Sequence, residues 1–122
     1  MIDLGCVELS LDRVLKSLVS LGISKSDAEV YIYLAKEGPK KASELANALE
    51  ISRQKLYLNL KKLIEKQIVT TSDEKPLIFS AIAFEEAIDL LVQIKKEQSA
   101  AILETKEELI SNWKSVDWKN NT

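Results

Sequence analysis

The sequence contains few of the residues that bind metals, form disulfides or break helices. It has no histidine and one cysteine, Cys6, which excludes the usual zinc, copper and haem ligand sets and an intrachain disulfide. Only three glycines and two prolines are present, which predicts few turns and long helices. We therefore expect no cofactor and no metal, and the lone cysteine is typical of a reducing cytoplasm.

Motifs of catalysis and of membrane insertion are missing as well. The sequence has no glycine-rich phosphate loop, no nucleophile elbow and no EF-hand spacing. No apolar run approaches the roughly 20 residues that span a bilayer, and the first residues include acids where a secretory signal has bases. We expect a cytoplasmic protein that is not an enzyme and has no membrane partner.

Charge is distributed unevenly along the chain, whose formal net charge is -2. Residues 36–66 hold eight basic and four acidic residues, whereas residues 83–122 hold five lysines and eight acids. The stretch ISRQKLYLNLKKLIEKQIV, residues 51–69, combines four lysines and an arginine with leucines at helical spacing. Such a patch is typical of a nucleic-acid-binding surface, although many lysine-rich helices only present a solvated face.

The first two thirds of the chain reads as helices followed by a hairpin. Four helices are predicted, at 9–21, 24–37, 42–49 and 52–66. Ser24 with Asp27 forms a capping box for the second helix, and Ser52 is a natural N-cap for the fourth. The third and fourth helices, with their short connection, form a helix-turn-helix pattern.

The hairpin extends this pattern to a winged helix. Apolar and β-branched runs at 68–71 and 77–80 flank a polar loop at 72–76, which predicts two paired strands. Residues 38–40 could supply a short third strand. The loop tip carries two acids and one base, so we expect the wing to bind the DNA minor groove weakly.

A long helix is predicted over 84–113, where neither glycine nor proline occurs. Its apolar seam is too long to remain exposed on a monomer, and a second copy of the chain is the simplest partner. The seam is interrupted, so a continuous coiled coil is not expected. Five residues are assigned to this dimer contact: Leu91, Ile94, Ile102, Leu109 and Trp113.

The predicted fold is therefore mainly α with a small β-hairpin. A winged helix-turn-helix domain occupies residues 1–82, a long C-terminal dimerisation helix residues 83–116, and a flexible tail residues 117–122.

The fourth helix has one apolar and one polar face. With Leu60 at the centre of the buried face, Leu56, Tyr57, Leu63 and Ile64 fall within about 60° of it. The opposite face would enter the DNA major groove, which is wide enough to admit a helix.

Eleven residues are assigned to DNA contact: Ser52, Arg53, Gln54, Lys55, Leu58, Lys61, Lys62, Lys66, Lys40, Lys41 and Lys75. Gln54 can pair with adenine, and Lys55 can donate to guanine or to a phosphate. Leu58 lies in the middle of the polar face, where either a thymine methyl or another part of the protein would cover it. Phosphate contacts, which give affinity without sequence choice, are assigned to Arg53 with the Ser52 cap and to Lys61, Lys62 and Lys66.

Three segments carry a resemblance to a known family: LVSLGISKSDAEVYIYL, GPKKASELA and ISRQKLYLNL. Over about residues 18–91 the chain resembles the TrmB-type archaeal winged-helix transcriptional regulators. The resemblance implies that 42–49 is the supporting helix, that 52–66 reads DNA and that the chain forms a dimer.

The chain also departs from that family's pattern. Lys41 replaces a usual Thr or Ser cap, Gln67 a usual glycine, and Leu58 a usual acid. Larger members carry a C-terminal sugar-binding domain, whereas this chain resembles the short form that lacks it, so any effector ligand stays unknown.

Taken together, the sequence predicts a homodimeric, sequence-specific DNA-binding regulator of transcription whose partners are double-stranded DNA and its own second copy. The alternative is a winged-helix protein-interaction module, which the acidic hairpin tip would suit. Ligand sensing between the long helices of a dimer is a further possibility.

Overall fold

The computed structural model describes the backbone of residues 4–117 and the side chains of residues 10–117. Within that range the chain is mostly helical, as predicted, with a small antiparallel sheet. Its elements are α1 (Leu4–Ser20), α2 (Lys25–Glu37), β1 (Lys40–Lys41), α3 (Ala42–Leu49), α4 (Arg53–Glu65), β2 (Val69–Thr71), β3 (Ile78–Ala81) and α5 (Phe84–Ser115). The tail predicted at 117–122 lies, from residue 118 onward, outside the described residues.

The ends of α2 and α4 follow from local hydrogen bonds that the sequence encodes. Ser24 Oγ accepts from the backbone N–H of Asp27 at 3.1 Å, which satisfies a free donor in the first turn of α2. Ser52 Oγ accepts from the backbone N–H of Lys55 in the same way at the start of α4. At the end of α2, Gly38 has a φ of 90° and donates its N–H to the Leu34 carbonyl.

The start of α3 has only one of the two hydrogen bonds of a capping box. Its N-cap residue is Lys41, whose ammonium group has no lone pair with which to accept a backbone N–H. The carboxylate of Glu44 compensates by accepting from the Lys41 backbone N–H at 3.0 Å. The helix therefore starts at the predicted residue although the hydroxyl cap of the related family is missing.

Three short antiparallel strands form a sheet in the order β1-β3-β2. Lys40 lies opposite Phe79, and Thr70 lies opposite Ser80. The loop between β2 and β3 is closed at Ser72, which donates its backbone N–H to the Ile78 carbonyl and accepts from the Ile78 N–H with Oγ at 2.9 Å. The two strands of the wing thus form as the sequence predicts, and the third strand is present at Lys40–Lys41, which overlaps the predicted 38–40 only at Lys40.

One core joins the helices to the sheet. Its larger members, each at most 4% exposed, come from every helix of the winged-helix domain and from the wing: Leu18, Tyr31, Leu34, Leu45, Leu56, Leu60, Leu63, Ile68 and Phe79. Tyr31 donates its hydroxyl to the Ile82 carbonyl at 2.8 Å, which ties α2 to the segment between β3 and α5. Burial, with a smaller contribution from the negative charge of Glu86, raises the pKa of the Tyr31 hydroxyl above its ordinary value.

Internal contacts divide the chain between Val92 and Gln93, inside α5. In the first unit the opening turns of α5 add Ala87 and Leu91 to the core. In the second unit α5 continues as a single helix whose larger apolar side chains are exposed: Ile102, Leu103, Leu109, Ile110 and Trp113.

Gln67 provides a test of backbone strain. Its φ is 66°, a left-handed conformation that glycine adopts without a steric penalty. We expect Gln67→Gly to raise the free energy of unfolding by about 0.5–1 kcal/mol. Chemical denaturation monitored by circular dichroism would measure it.

The neighbouring residue supplies the control. Lys66 has a φ of -81°, so glycine offers no relief of strain there and adds freedom to the unfolded chain. Lys66→Gly should lower the free energy of unfolding by about 0.5–1 kcal/mol. Changes of the same sign in both variants would contradict the strain assigned to Gln67.

Candidate nucleic-acid interface

The exposed side of α4 holds most of the residues assigned to DNA contact. The exposed members are Ser52, Arg53, Gln54, Lys55, Leu58, Lys61 and Lys62, whereas Lys66 is half-buried. Leu58 is 62% exposed, so no other part of the described chain covers it. Of the two explanations for an apolar residue at that position, packing against another of residues 10–117 of the same chain is excluded.

The cations of α4 have no ion-pair partner among residues 10–116. Among residues 10–116 the structure contains one ion pair, between Lys16 and Asp12 on α1. Arg53 and the lysines of α4 therefore have no carboxylate within 4 Å in that part of the chain. An unpaired, solvated cation can exchange its counterions for a phosphate without breaking an internal bond.

α4 is rotated relative to the sequence prediction. Leu56, Leu60 and Leu63 are buried as expected, but Tyr57 is 47% exposed and Asn59 is only 5% exposed. At 100° per residue, the centre of the buried side lies about 50° from Leu60, toward Asn59. The assignment of Tyr57 to the buried face was therefore wrong, and its phenol belongs to the exposed side with Gln54 and Lys61.

A buried polar cluster accounts for this rotation. Asn59 Nδ2 donates to the Asp27 carboxylate and, at 3.1 Å, to Ser26 Oγ. Asp27 is 2% exposed, so its carboxylate lies in the interior between α2 and α4. From the sequence, Asp27 is predicted only as part of a helix cap, and Asn59 is not predicted as a buried residue. The available signal was the spacing of Asn59, three residues after Leu56 and four before Leu63.

Three predicted contact residues lie away from α4 and its two cap residues, Ser52 and Lys66. Lys40 is half-buried and Lys41 exposed, both on β1 at one edge of the sheet. Lys75 is exposed in the loop between β2 and β3, next to the exposed acids Asp73 and Glu74. Gln54 and the cations of α4 thus lie on one helix, whereas Lys40 and Lys41 lie on β1 and Lys75 lies in the loop of the wing.

The residues assigned to dimer contact divide into two groups. Leu91 is 1% exposed within the core of the first unit, so its side chain has no surface to offer a second copy. The assignment of Leu91 is corrected accordingly, because the seam predicted from the sequence includes the part of α5 that covers the chain's own core. Ile94 is half-buried, and Ile102, Leu109 and Trp113 are 63%, 57% and 74% exposed.

A helix-turn-helix (α3 and α4) followed by a two-stranded hairpin places the chain in the winged-helix class. A model of the family described as "Sugar-specific transcriptional regulator TrmB" matches residues 13–85, more than half of the chain. The chain therefore belongs to the TrmB family of transcriptional regulators. No curated protein matches the chain, and no helix of the described residues is long and apolar enough to cross a membrane.

Solved structures share this fold. A possible transcriptional regulator from Methanosarcina mazei Go1 has a TM-score of 0.61 and 18% identity, over 80% of this chain and 87% of that one. TrmBL2, an archaeal chromatin protein with a novel mode of DNA binding, has a TM-score of 0.71 and 22% identity. The match covers 85% of this chain but 40% of TrmBL2.

A third structure, from the thermoacidophilic archaeon Sulfolobus tokodaii, has a TM-score of 0.58 and 24% identity, over 71% of this chain and 96% of that one. At identities below 25%, these likenesses establish the fold.

The exposure of Leu58 leads to a prediction about stability. Because its side chain contacts little of the protein, Leu58→Ala should change the free energy of unfolding by less than about 0.5 kcal/mol. Leu56→Ala, a matched change on the buried side of the same helix, should lower it by about 2–5 kcal/mol. Denaturant titrations would measure both, and a large decrease for Leu58→Ala would show that the side chain is covered.

Proposed function

We propose that the chain is a homodimeric regulator that binds specific DNA sequences by placing α4 in the major groove. The observation that carries this proposal is the row of exposed cations on α4, none of which has an internal carboxylate partner among residues 10–116. A helix in this position of a helix-turn-helix, with unpaired cations on its outer side, suits a phosphate backbone. Such a regulator would act in the cytoplasm, where its DNA lies.

The side chains of α4 divide by chemistry into base readers and phosphate contacts. Gln54 can present its amide to the edge of adenine, and Leu58 can cover a thymine methyl. Lys61 and Lys62 carry charge on flexible stems and suit phosphates. Tyr57 adds a hydroxyl on the same side of the helix, which suits a phosphate oxygen.

Self-association is proposed from the second unit of α5. Ile102, Leu109 and Trp113 are each at least 57% exposed, and successive members of this set are seven and four residues apart. At 100° per residue these three side chains fall within an arc of about 40°, as in a helix–helix seam. A second copy would cover this seam and would bring a second α4 to a site about 34 Å away along the DNA.

The alternative function, a protein-interaction module, is favoured by one observation. The tip of the wing exposes Asp73 and Glu74 beside a single lysine, Lys75, and an acidic tip is poorly suited to a DNA groove. A partner protein with a basic surface would suit this tip. Stoichiometric capture of such a protein, with no DNA retained, would support this alternative.

Two substitutions separate the proposed roles on α4. Lys62→Glu should weaken binding to all DNA sequences by at least about tenfold at low salt, and should reduce the salt dependence by about one unit of slope for each phosphate that the variant no longer neutralises. Gln54→Ala should change base preference at one position of each half-site by about 1–3 kcal/mol of discrimination. Fluorescence anisotropy across a salt series and selection from a random DNA pool would measure them.

The control for charge is Lys96→Glu, the same exchange at an exposed position of α5 in the second unit. It should weaken binding much less than Lys62→Glu, because its charge lies outside α4. Wild-type protein that binds no DNA at low salt would contradict the proposal, and equal effects of Lys62→Glu and Gln54→Ala on base preference would contradict the division of roles.

Dimerisation is tested on α5. Leu109→Glu places a charge within the exposed apolar seam and should convert the dimer to a monomer at micromolar concentration in sedimentation or light scattering. Ser111→Glu introduces the same side chain about 160° around the helix and should leave the dimer intact. A monomeric wild-type chain would disprove this part of the proposal.

A further inference from the structure

α4 departs twice in succession from the usual pattern of apolar residues inside and polar residues outside. Leu58 is 62% exposed, and the next residue, Asn59, is 5% exposed. Hydrophobic burial alone would favour the opposite arrangement, with the amide in water and more of Tyr57 against the core. A specific interaction must therefore hold the helix in the observed rotation.

That interaction is the hydrogen bonding of Asn59 to α2. The Asp27 carboxylate is 2% exposed, and among residues 10–116 it has no cation within 4 Å. Its position in the first turn of α2 supplies favourable helix-dipole charge, but a buried carboxylate also needs hydrogen-bond donors. Asn59 Nδ2 carries two hydrogens, one for Asp27 and one for Ser26 Oγ.

Rotation of α4 away from this setting would break the cluster. Turning the helix by about 50°, so that Leu60 becomes the centre of the buried side, would carry Asn59 toward solvent and Tyr57 toward the core. The buried carboxylate would then be left without its amide donor, which is costly in a medium of low dielectric constant. A buried polar contact that excludes an alternative packing acts as a device for conformational specificity.

We infer that the hydrogen bond between Asn59 and Asp27 sets the rotation of α4 about its own axis, and so determines which side chains this helix presents to DNA. Asn59 is a positioning residue: it contacts no base and acts through Tyr57, Gln54 and Leu58. The rotation of α4 is inferred from the structure alone. Its consequence for DNA recognition rests on the proposed function.

Three variants test the inference in the full chain. Asn59→Ala removes the donor. The double exchange Asp27→Asn with Asn59→Asp restores an amide–carboxylate pair with its direction reversed. Val30→Ala removes buried apolar contact on α2, where Val30 is 1% exposed, and leaves the polar cluster intact. It is the control for reduced stability, and all measurements are made well below the unfolding temperature of the least stable variant.

The rotation is read without DNA by thiol labelling. In a Cys6→Ser background, single cysteines at positions 57 and 62, introduced as Tyr57→Cys and Lys62→Cys, report the two sides of α4. With Asn59→Ala added, the ratio of labelling rates, position 57 over position 62, should fall at least threefold. The double exchange should restore the ratio, and Val30→Ala should leave it unchanged. A ratio that Asn59→Ala does not alter, or alters no more than Val30→Ala does, overturns the inference.

The consequence for DNA is read by selection from a random pool. Asn59→Ala should change base preference at the positions assigned to Gln54 and Leu58 and weaken binding to the wild-type site at least tenfold, with the salt slope retained. The double exchange should restore the wild-type base preference, and Val30→Ala should leave that preference unchanged. Unchanged preference in Asn59→Ala overturns the role in presentation. If the wild-type chain binds no DNA, the proposed function fails, and the labelling ratio still decides whether Asn59 sets the rotation.

Discussion

The burial of one side of α4 is the constraint on which the rest of the molecule depends. Leu56, Leu60 and Leu63 are each at most 1% exposed, and burying a leucine side chain contributes roughly 1.5–3 kcal/mol. Because side chains leave a helix at fixed angles, holding these three inside turns the opposite side of α4 to solvent. The cations of α4 face solvent as a consequence of this packing, and any function assigned to them depends on it.

Much of this architecture follows from interactions between residues that are close together in the sequence. Ser24 and Ser52 begin two helices because a hydroxyl satisfies a free backbone donor, and Gly38 ends one because it can adopt a positive φ. The hairpin is similarly local, with β-branched residues on either side of a polar loop. These elements were predicted because each depends on residues that are neighbours in the chain.

The features that were not predicted depend on contacts between residues that are far apart in the sequence. The rotation of α4 depends on a hydrogen bond between Asp27 and Asn59, 32 residues apart, and the spacing of Asn59 on α4 does not indicate its partner on α2. The place of Leu91 likewise depends on where α5 meets the core of the first unit. Lys41 was a departure whose effect could not be read from that residue alone, because the compensation comes from the side chain of Glu44. The spacing of apolar residues predicted roughly which side of α4 is buried, and tertiary contacts determined how the helix is rotated about its axis.

The uneven distribution of charge along the chain has a consequence for how such a regulator would search a genome. The chain as a whole is negative, so in the proposed regulator the acidic C-terminal third would repel a duplex while the cations of α4 attract it. Association with arbitrary DNA would therefore be weakened, since electrostatic attraction to phosphates supplies nearly all of non-specific binding. With competing sites in the millions, occupancy of the correct site would depend on rapid release from wrong ones more than on tight adhesion.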